Sequence, residues 1–478
     1  MHARPISRNT IAVAITIAAS ATVLAFQLLV PPIVGLADNG DFSRLALPTG
    51  LAHTSENAEE RWFGWMQPRF RLVARTPDPG GYRSSEVLLV ELAVRASRAL
   101  GSTTAFDIRV LAALHILLLL AALGGLVSAC RDLSAAAQVL AAALLVFFFT
   151  DVGFVAPFNS LYSQTASFLF LMLTVAVAAH GLRRGRLAGP LLPAYFLCAA
   201  LWITSKPQEV IDAPLLAVFG LSMAWRGSGR HSRAVAVVLS VALCALAWRY
   251  YRSADRSIGW VTRYDMLFRE ILPNSPDPGR DLAELGLDPS LARFAGVNAW
   301  VPESPSRNPS VLAFVKRSGP TVQLFLLRHP KRLLSLLART ARVSYALRPH
   351  ELGNFAKETG AARFQKARGI WSGLRIHLSG FPWLLVLLGG TLAAAGATYR
   401  RASTRGRRVR EGLSLLVVIA VNTFLGSTIG DSQEIRHLYT FHALCDLILV
   451  ADVTWMTEIL VRRIATRRAE AAAPIPAV

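Results

Sequence analysis

The chain has 478 residues, of which 53% are hydrophobic and only 17% charged, with a formal net charge of +21 and a mean hydropathy of +0.41. Its apolar residues fall in blocks long enough to cross a bilayer, which excludes an ordinary soluble domain and gives a polytopic membrane protein. The four cysteines, Cys130, Cys198, Cys244 and Cys445, all lie inside those blocks and read as small buried residues, not as disulfide or zinc partners.

The predicted fold is all-α: a transmembrane bundle of about ten spans, over roughly 10–35, 108–130, 134–152, 162–182, 188–204, 209–225, 233–250, 380–398, 412–428 and 438–460. The first apolar block is longer than the core of a secretory signal and more spans follow it, so a retained helix is expected. Directly after it comes "GLADNGDFSRL" (35–45), with Asp38 and Asp41 three apart and Arg44 close behind. Two acids at membrane depth are costly without partners, which makes them functional candidates. An acidic turn that stops one helix and caps the next, with Asp38 as N-cap, is the plainer alternative.

Alternate linkers are strongly basic. The segments around Arg4 and Arg8, Arg131, Arg183 to Arg186, Arg226 to Arg233, Arg400 to Arg410 and Arg462 to Arg468 hold 19 arginines against Asp132, Glu411 and Glu470. This bias places them, and both termini, in the cytoplasm. The high charge is thus a topology signal, and no nucleic-acid partner is needed to explain it.

The complementary linkers then face outside, and the longest, 251–379, approaches 130 residues. Connections of that length usually carry function. Three shorter polar clusters fall on the same side: "PFNSLYSQ" (157–164), "TSKPQE" (204–209) with Lys206, and "GDSQEIRHLY" (430–439) with Arg436 and His437. Lys206 also reads as a snorkelling interfacial lysine, and Arg436 with His437 as a headgroup contact. Taken together, two acids and several cations around one external mouth are what a reaction with a phosphate leaving group needs. Within the long loop, 281–296 and 322–347 have helical periodicity, interrupted at Pro289 and Pro330, and suit juxtamembrane helices packed on the bundle. The chain divides into an N-terminal transmembrane region (1–250) with its external loop 36–107, the external helical loop 251–379, and a C-terminal transmembrane region (380–478) ending in the tail "AEAAAPIPAV".

A charged loop after the first helix, many spans, a large external loop and basic residues at later helix ends resemble the integral-membrane glycosyltransferases of the GT-C type. More narrowly, "ADNGDFSRL" (37–45) and "ILPNSPDPGRDLAELGLDPSLARFAG" (271–296) resemble the WsfD-type hexose transferases of bacterial surface-glycan synthesis. The resemblance implies a multi-pass protein of the bacterial cytoplasmic membrane that moves a hexose from a polyprenyl-phosphate-linked donor to a surface-glycan or lipid-linked acceptor outside. Such chemistry needs a carboxylate to take the acceptor proton and cations to steady the departing phosphate. On that basis Asp41 is the first candidate for the base, with Asp38 second or as a metal or hydrogen-bonding partner. Lys206 and Arg436 are the phosphate clamp, with Arg44 and His437 behind them. No cofactor is certain, and a divalent cation at Asp38 and Asp41 stays open.

Other chemistries fit less well. The sequence has no Walker-type loop and no His-Glu-x-x-His motif, and Ser432 near His437 lacks a third residue or an elbow motif. The alternative from another class is a transporter or flippase for lipid-linked glycans. In that reading Arg109, His115, His442 and Asp446 line a pathway, although no pair of similar halves is visible.

Overall fold

The computed structural model describes residues 7–78, 81–226, 229–317, 320–431 and 435–471. The C-terminal "AAPIPAV" and Ser432 lie outside the described residues. Each of the ten apolar blocks forms a helix: α1 (Arg8–Leu28), α5 (Ile108–Ala129), α6 (Ala135–Phe149), α8 (Gln164–Arg184), α9 (Leu191–Ile203), α10 (Ala213–Trp225), α11 (Arg230–Asp265), α17 (Trp383–Tyr399), α18 (Thr404–Asp431) and α19 (Tyr439–Ala471). The shorter helices are α2 (Ser43–Thr49), α3 (Ala58–Arg61), α4 (Glu86–Ala99), α7 (Val152–Val155), α12 (Pro278–Glu284), α13 (Pro309–Lys316), α14 (Thr321–Arg328), α15 (Pro330–Val343) and α16 (Ile370–Ile376).

Ten full-length crossings are not what these helices provide. Among the described residues five are long and apolar enough to cross a membrane: α1, α5, α8, the Arg230–Ala254 part of α11 and the Thr404–Ile429 part of α18. A sixth results if α6 is joined to Val152–Asn159 across a 55° bend. Helices α9 and α17, of 13 and 17 residues, reach about 20 and 25 Å at about 1.5 Å per residue, short of a hydrocarbon core of about 30 Å. Helix α19 is long enough but carries Asp446, Asp452 and Glu458. The protein is a multi-pass membrane protein with a mixture of full and short apolar helices.

The ends of the helices follow local chemistry. The Ser7 hydroxyl caps α1 by accepting from the Thr10 N–H at 3.1 Å, and the Asp107 carboxylate caps α5 by accepting from the Arg109 N–H at 2.9 Å. Helix α1 stops at Leu28, not near 35, because Pro31 and Pro32 follow and neither can donate to the helix ladder. Helices α5 and α8 pack on each other at the centre, with α1 and α4 on α5 and α9 on α8; α19 packs on α6 and α18. The periphery is apolar outward, as Phe26 of α1 and Val238 and Val241 of α11 show. Of the cysteines, Cys445 is buried, but Cys244 is exposed on α11, contrary to the expectation that all four are enclosed.

The all-α expectation also needs amending in the first external loop. There β1 (Leu51–His53), β2 (Arg69–Leu72) and β3 (Ala105–Asp107) form an antiparallel sheet in that order, with His53 opposite Phe70 and Phe70 opposite Phe106. The expected division at 250 falls inside α11, which continues to Asp265. The projecting end of α11 carries a second apolar core, in which Tyr264, Phe268, Val311, Phe325 and Leu336 are buried together. The long loop therefore has packed helices of its own, broken at Pro289 and Pro330, where new helical segments begin.

Candidate functional site

The segment that follows α1 is held before it reaches the acids. Asn159 donates to the Leu28 and Val34 carbonyls at 2.9 and 2.8 Å, and Asn354 donates to the Gly35 carbonyl at 2.8 Å. Gly35 is required by space, since a Cβ there would lie 2.6 Å from the Asn159 carbonyl oxygen. Both asparagines are buried, so the segment is fixed from two directions, and Asn354 is itself held by Arg348 and the Ala367 N–H at 2.7 and 3.1 Å.

The two aspartates then part company. Asp38 is 1% exposed, and one carboxylate oxygen accepts from the Gly40 and Phe42 N–H groups at 2.7 and 3.1 Å. Its other oxygen meets His53 Nε2 at 3.0 Å, on β1. Asp38 is thus the organiser of a tight turn, completed by Gly40 at φ 102°, a conformation that favours glycine. The small sheet exists in the right place to present His53 to it, with the His53 ring stacked on Phe42.

Asp41 projects from the other side of this turn, with its side chain 28% exposed. One oxygen lies 3.2 Å from Arg44 Nη1 and the other accepts from Arg436 Nη1 at 2.9 Å. Burial pushes the Asp41 carboxyl up, but the guanidinium groups of Arg44 and Arg436, with His437 nearby, outweigh it and hold it at about 2. Asp41 is accordingly ionised and firmly partnered.

Arg436 comes from the helical turn Ile435–Leu438 just before α19, and is 6% exposed. Its guanidinium lies over the Tyr162 ring, 5.0 Å from the centroid. The Tyr162 hydroxyl donates to the Ala37 carbonyl at 2.8 Å and accepts from the Asn39 N–H at 3.0 Å. One tyrosine therefore supports both the acid-bearing turn and the arginine. Arg44 lies similarly over Tyr82, at 5.6 Å. The Lys206 Nζ is 3.5 Å from the Arg436 carbonyl oxygen, and Gln208 and Ser427 both donate to the His437 carbonyl at 2.7 Å.

These groups border a cavity of about 480 Å³. Asp41, Arg44, Lys206, Arg436 and His437 are among its lining residues, as are the apolar Val210, Ile211, Ile258, Leu425 and Ile429. Five of the six candidate residues therefore meet at one cavity. Asp38 does not line it. Among the described residues no group of three or more His, Cys, Asp or Glu side chains is placed to hold a metal ion, and the two aspartates are engaged by different partners. Tyr162, Tyr82 and Asn39 carry no sequence signal of their own, although Tyr162 and Asn39 sit within the polar clusters 157–164 and 35–45.

The residues considered for a transport pathway are instead paired within the structure. Arg109 binds Asp107 through two nitrogens, and buried His115 meets buried Glu86 at 2.9 Å. Asp446 accepts from Arg375 Nη1 at 2.8 Å and from the Trp371 indole at 2.8 Å, while Arg375 Nη2 meets His442 Nδ1 at 2.7 Å.

Fold and site together define a multi-pass membrane protein with a charged pocket where several helix ends converge. Residues 2–472 match the model of the YfdI N-terminal transmembrane domain, and the chain belongs to that family. No curated protein matches it in sequence. Among solved structures it is similar to the Archaeoglobus fulgidus oligosaccharyltransferase in its apo form, at 12% identity and a TM-score of 0.43 over 98% of this chain and 53% of that one. The same enzyme tethered through a disulfide to an acceptor peptide containing the NVT sequon gives 13% identity and a TM-score of 0.42, over 95% of this chain and 50% of that one. The chain thus spans about half the length of those structures.

Proposed function

We propose that the protein is a membrane glycosyltransferase of the GT-C type that transfers a hexose from a polyprenyl-phosphate-linked donor to a surface-glycan or lipid-linked acceptor on the extracytoplasmic side of the bacterial cytoplasmic membrane. The observation that carries the reading is the Asp41–Arg436 contact at a cavity lined by both charged and apolar side chains. The charged lining residues suit a sugar phosphate, and the apolar ones suit the first units of a prenyl chain.

In this reaction the acceptor hydroxyl oxygen forms a bond to the anomeric carbon while the bond from that carbon to the phosphate oxygen breaks. The acceptor proton passes to Asp41, and the electron pair leaves with polyprenyl phosphate, held by Arg436 and Lys206. A carboxylate held at about 2 is a weak base, so the order of events matters. Donor phosphate arriving at Arg436 draws the guanidinium away from Asp41, and the carboxylate recovers proton affinity only when the substrate is in place. Asp38 acts through the turn, as a positioning residue that keeps Asp41 pointed into the cavity. The orientation, with both termini cytoplasmic, rests on the distribution of the arginines.

The test is mass spectrometry of surface glycans and of lipid-linked intermediates from cells lacking the protein. Loss of one sugar branch while the lipid-linked donor is still made supports transfer. A complete lipid-linked glycan accumulating inside would instead identify a flippase.

A further inference from the structure

A second cavity, of about 450 Å³, lies toward the opposite end of the bundle. Gln164, at the start of α8, lines the first cavity and Arg183, at its end, lines the second. Nineteen residues of helix separate them, about 29 Å at the usual rise. The second cavity is a slot between α5, α6, α8, α9, α10, α18 and α19. Its α18 wall runs from Arg405 to Ile419 and its α19 wall from Leu447 to Arg462, so it extends for about 20 Å. That is more than the thickness of one leaflet, about 15 Å of hydrocarbon.

The walls of the slot are almost wholly apolar, and its mouth is basic: Arg183, Arg405, Arg410 and Arg462 line it, with Glu458 the acid among the lining residues. Arg462 is paired with Glu458 at 2.6 Å. Arg183 and Arg405 share Asp132, at 3.7 and 3.0 Å, and Arg131 approaches the same carboxylate at 3.7 Å. One acid cannot neutralise three guanidinium groups. The Arg183 side chain is only 10% exposed, and its Nε is buried with no hydrogen-bond partner among the described residues. A buried donor without a partner is costly, and an anionic oxygen at the mouth would satisfy it.

We propose that this slot binds an anionic phospholipid, with an acyl chain between the helices and the phosphate at Arg183 and Arg405. Charge complementarity selects the occupant: a zwitterionic lipid brings its own cation to a mouth that already has an excess of them. In the orientation proposed above the mouth faces the cytoplasmic leaflet, where anionic lipids concentrate and where basic pockets between helices recognise their headgroups. The site is separate from the transfer reaction and does not depend on it.

The test uses the full chain in phosphatidylcholine nanodiscs, titrated with phosphatidylglycerol and read by native mass spectrometry. Phosphatidylglycerol should be retained at least about tenfold more tightly than phosphatidylcholine. Arg183→Gln with Arg405→Gln should remove most of that preference, whereas Arg400→Gln with Arg401→Gln, an equal charge change at exposed positions outside the slot, should leave it unchanged. Ala178→Phe narrows the slot without touching the arginines, and should weaken retention while the thermal midpoint in phosphatidylcholine stays close to the parent's. Equal retention of the two lipids would overturn the proposal, as would equal losses from both arginine pairs. Full retention in a folded Ala178→Phe protein would reduce it to a headgroup contact at the surface and overturn the slot.

Discussion

Replacing Arg44 by glutamine tests the electrostatics of the pocket without removing either the proposed base or the main phosphate contact. Asp41 is held at about 2 against an ordinary value of 3.8: burial raises it, and the charge of Arg44 and the charge and hydrogen bond of Arg436 bring it down. Removing one of two flanking guanidinium groups should return the carboxyl by about one pH unit, which is about 1.4 kcal/mol of differential interaction. The group's folded value is depressed, so its contribution to stability is present above the unfolded value and lost as pH falls through the folded one. At pH 7 the variant should therefore be less stable, by about 1 kcal/mol at most, since both side chains are nearly a third exposed. The assay is kcat/KM for a synthetic polyprenyl-phosphate hexose against pH, which reports ionisations of the free enzyme. The parent should be flat down to about pH 4, and Arg44→Gln should develop an acid limb about one unit above the parent's. A uniform loss at every pH would assign Arg44 to binding alone, and an unchanged profile would refute the claim that it holds down Asp41.

Asp38→Ala should lower stability by about 2 kcal/mol, because it strands His53 and two backbone N–H groups, and Asp41→Asn should lower it by about 1 to 2 kcal/mol at pH 7, because it removes the charge that pairs with both Arg44 and Arg436; the thermal midpoint reads both. Lys206→Ala and Arg436→Ala should each weaken use of the donor by about 2 to 5 kcal/mol in kcat/KM, with Arg436→Lys retaining part of it; normal rates in both alanine variants would leave only interfacial anchors. Arg375→Met strands Asp446 in the interior and should cost about 3 to 5 kcal/mol, read as a fall in the detergent melting midpoint.

The helices were legible because each is a run of apolar residues too long for anything else, and breaks at Pro289 and Pro330 were visible for the same steric reason. The small sheet was not legible. Strands of three and four residues such as "LAH" and "RFRL" are too short for an alternating pattern to stand out, and they are fixed by pairing across tens of residues. The early stop of α1 shows that apolar character outlasts helix where two prolines intervene. At the site, residue type and predicted side of the membrane pointed to Asp41, Lys206 and Arg436. Their meeting could not be read directly, since Asp41 and Arg436 are separated by 395 residues. The division of labour between Asp38 and Asp41 was equally hidden, because it depends on His53, a single histidine with no motif around it. Tyr162 carries the same lesson: it sits in the short segment before α8, and its contacts with Ala37, Asn39 and Arg436 join parts of the chain far apart in sequence.

The central claim is that Asp41 accepts the proton from the acceptor hydroxyl. Asp41→Asn keeps the size of the side chain and its position near Arg436 while removing the base. The purified variant should bind the polyprenyl-phosphate hexose as the parent does, yet transfer it about 10² to 10⁴ times more slowly in a single turnover. A transfer rate equal to the parent's, with donor binding and abundance unchanged, would contradict the account and return Asp41 to a structural role beside Asp38.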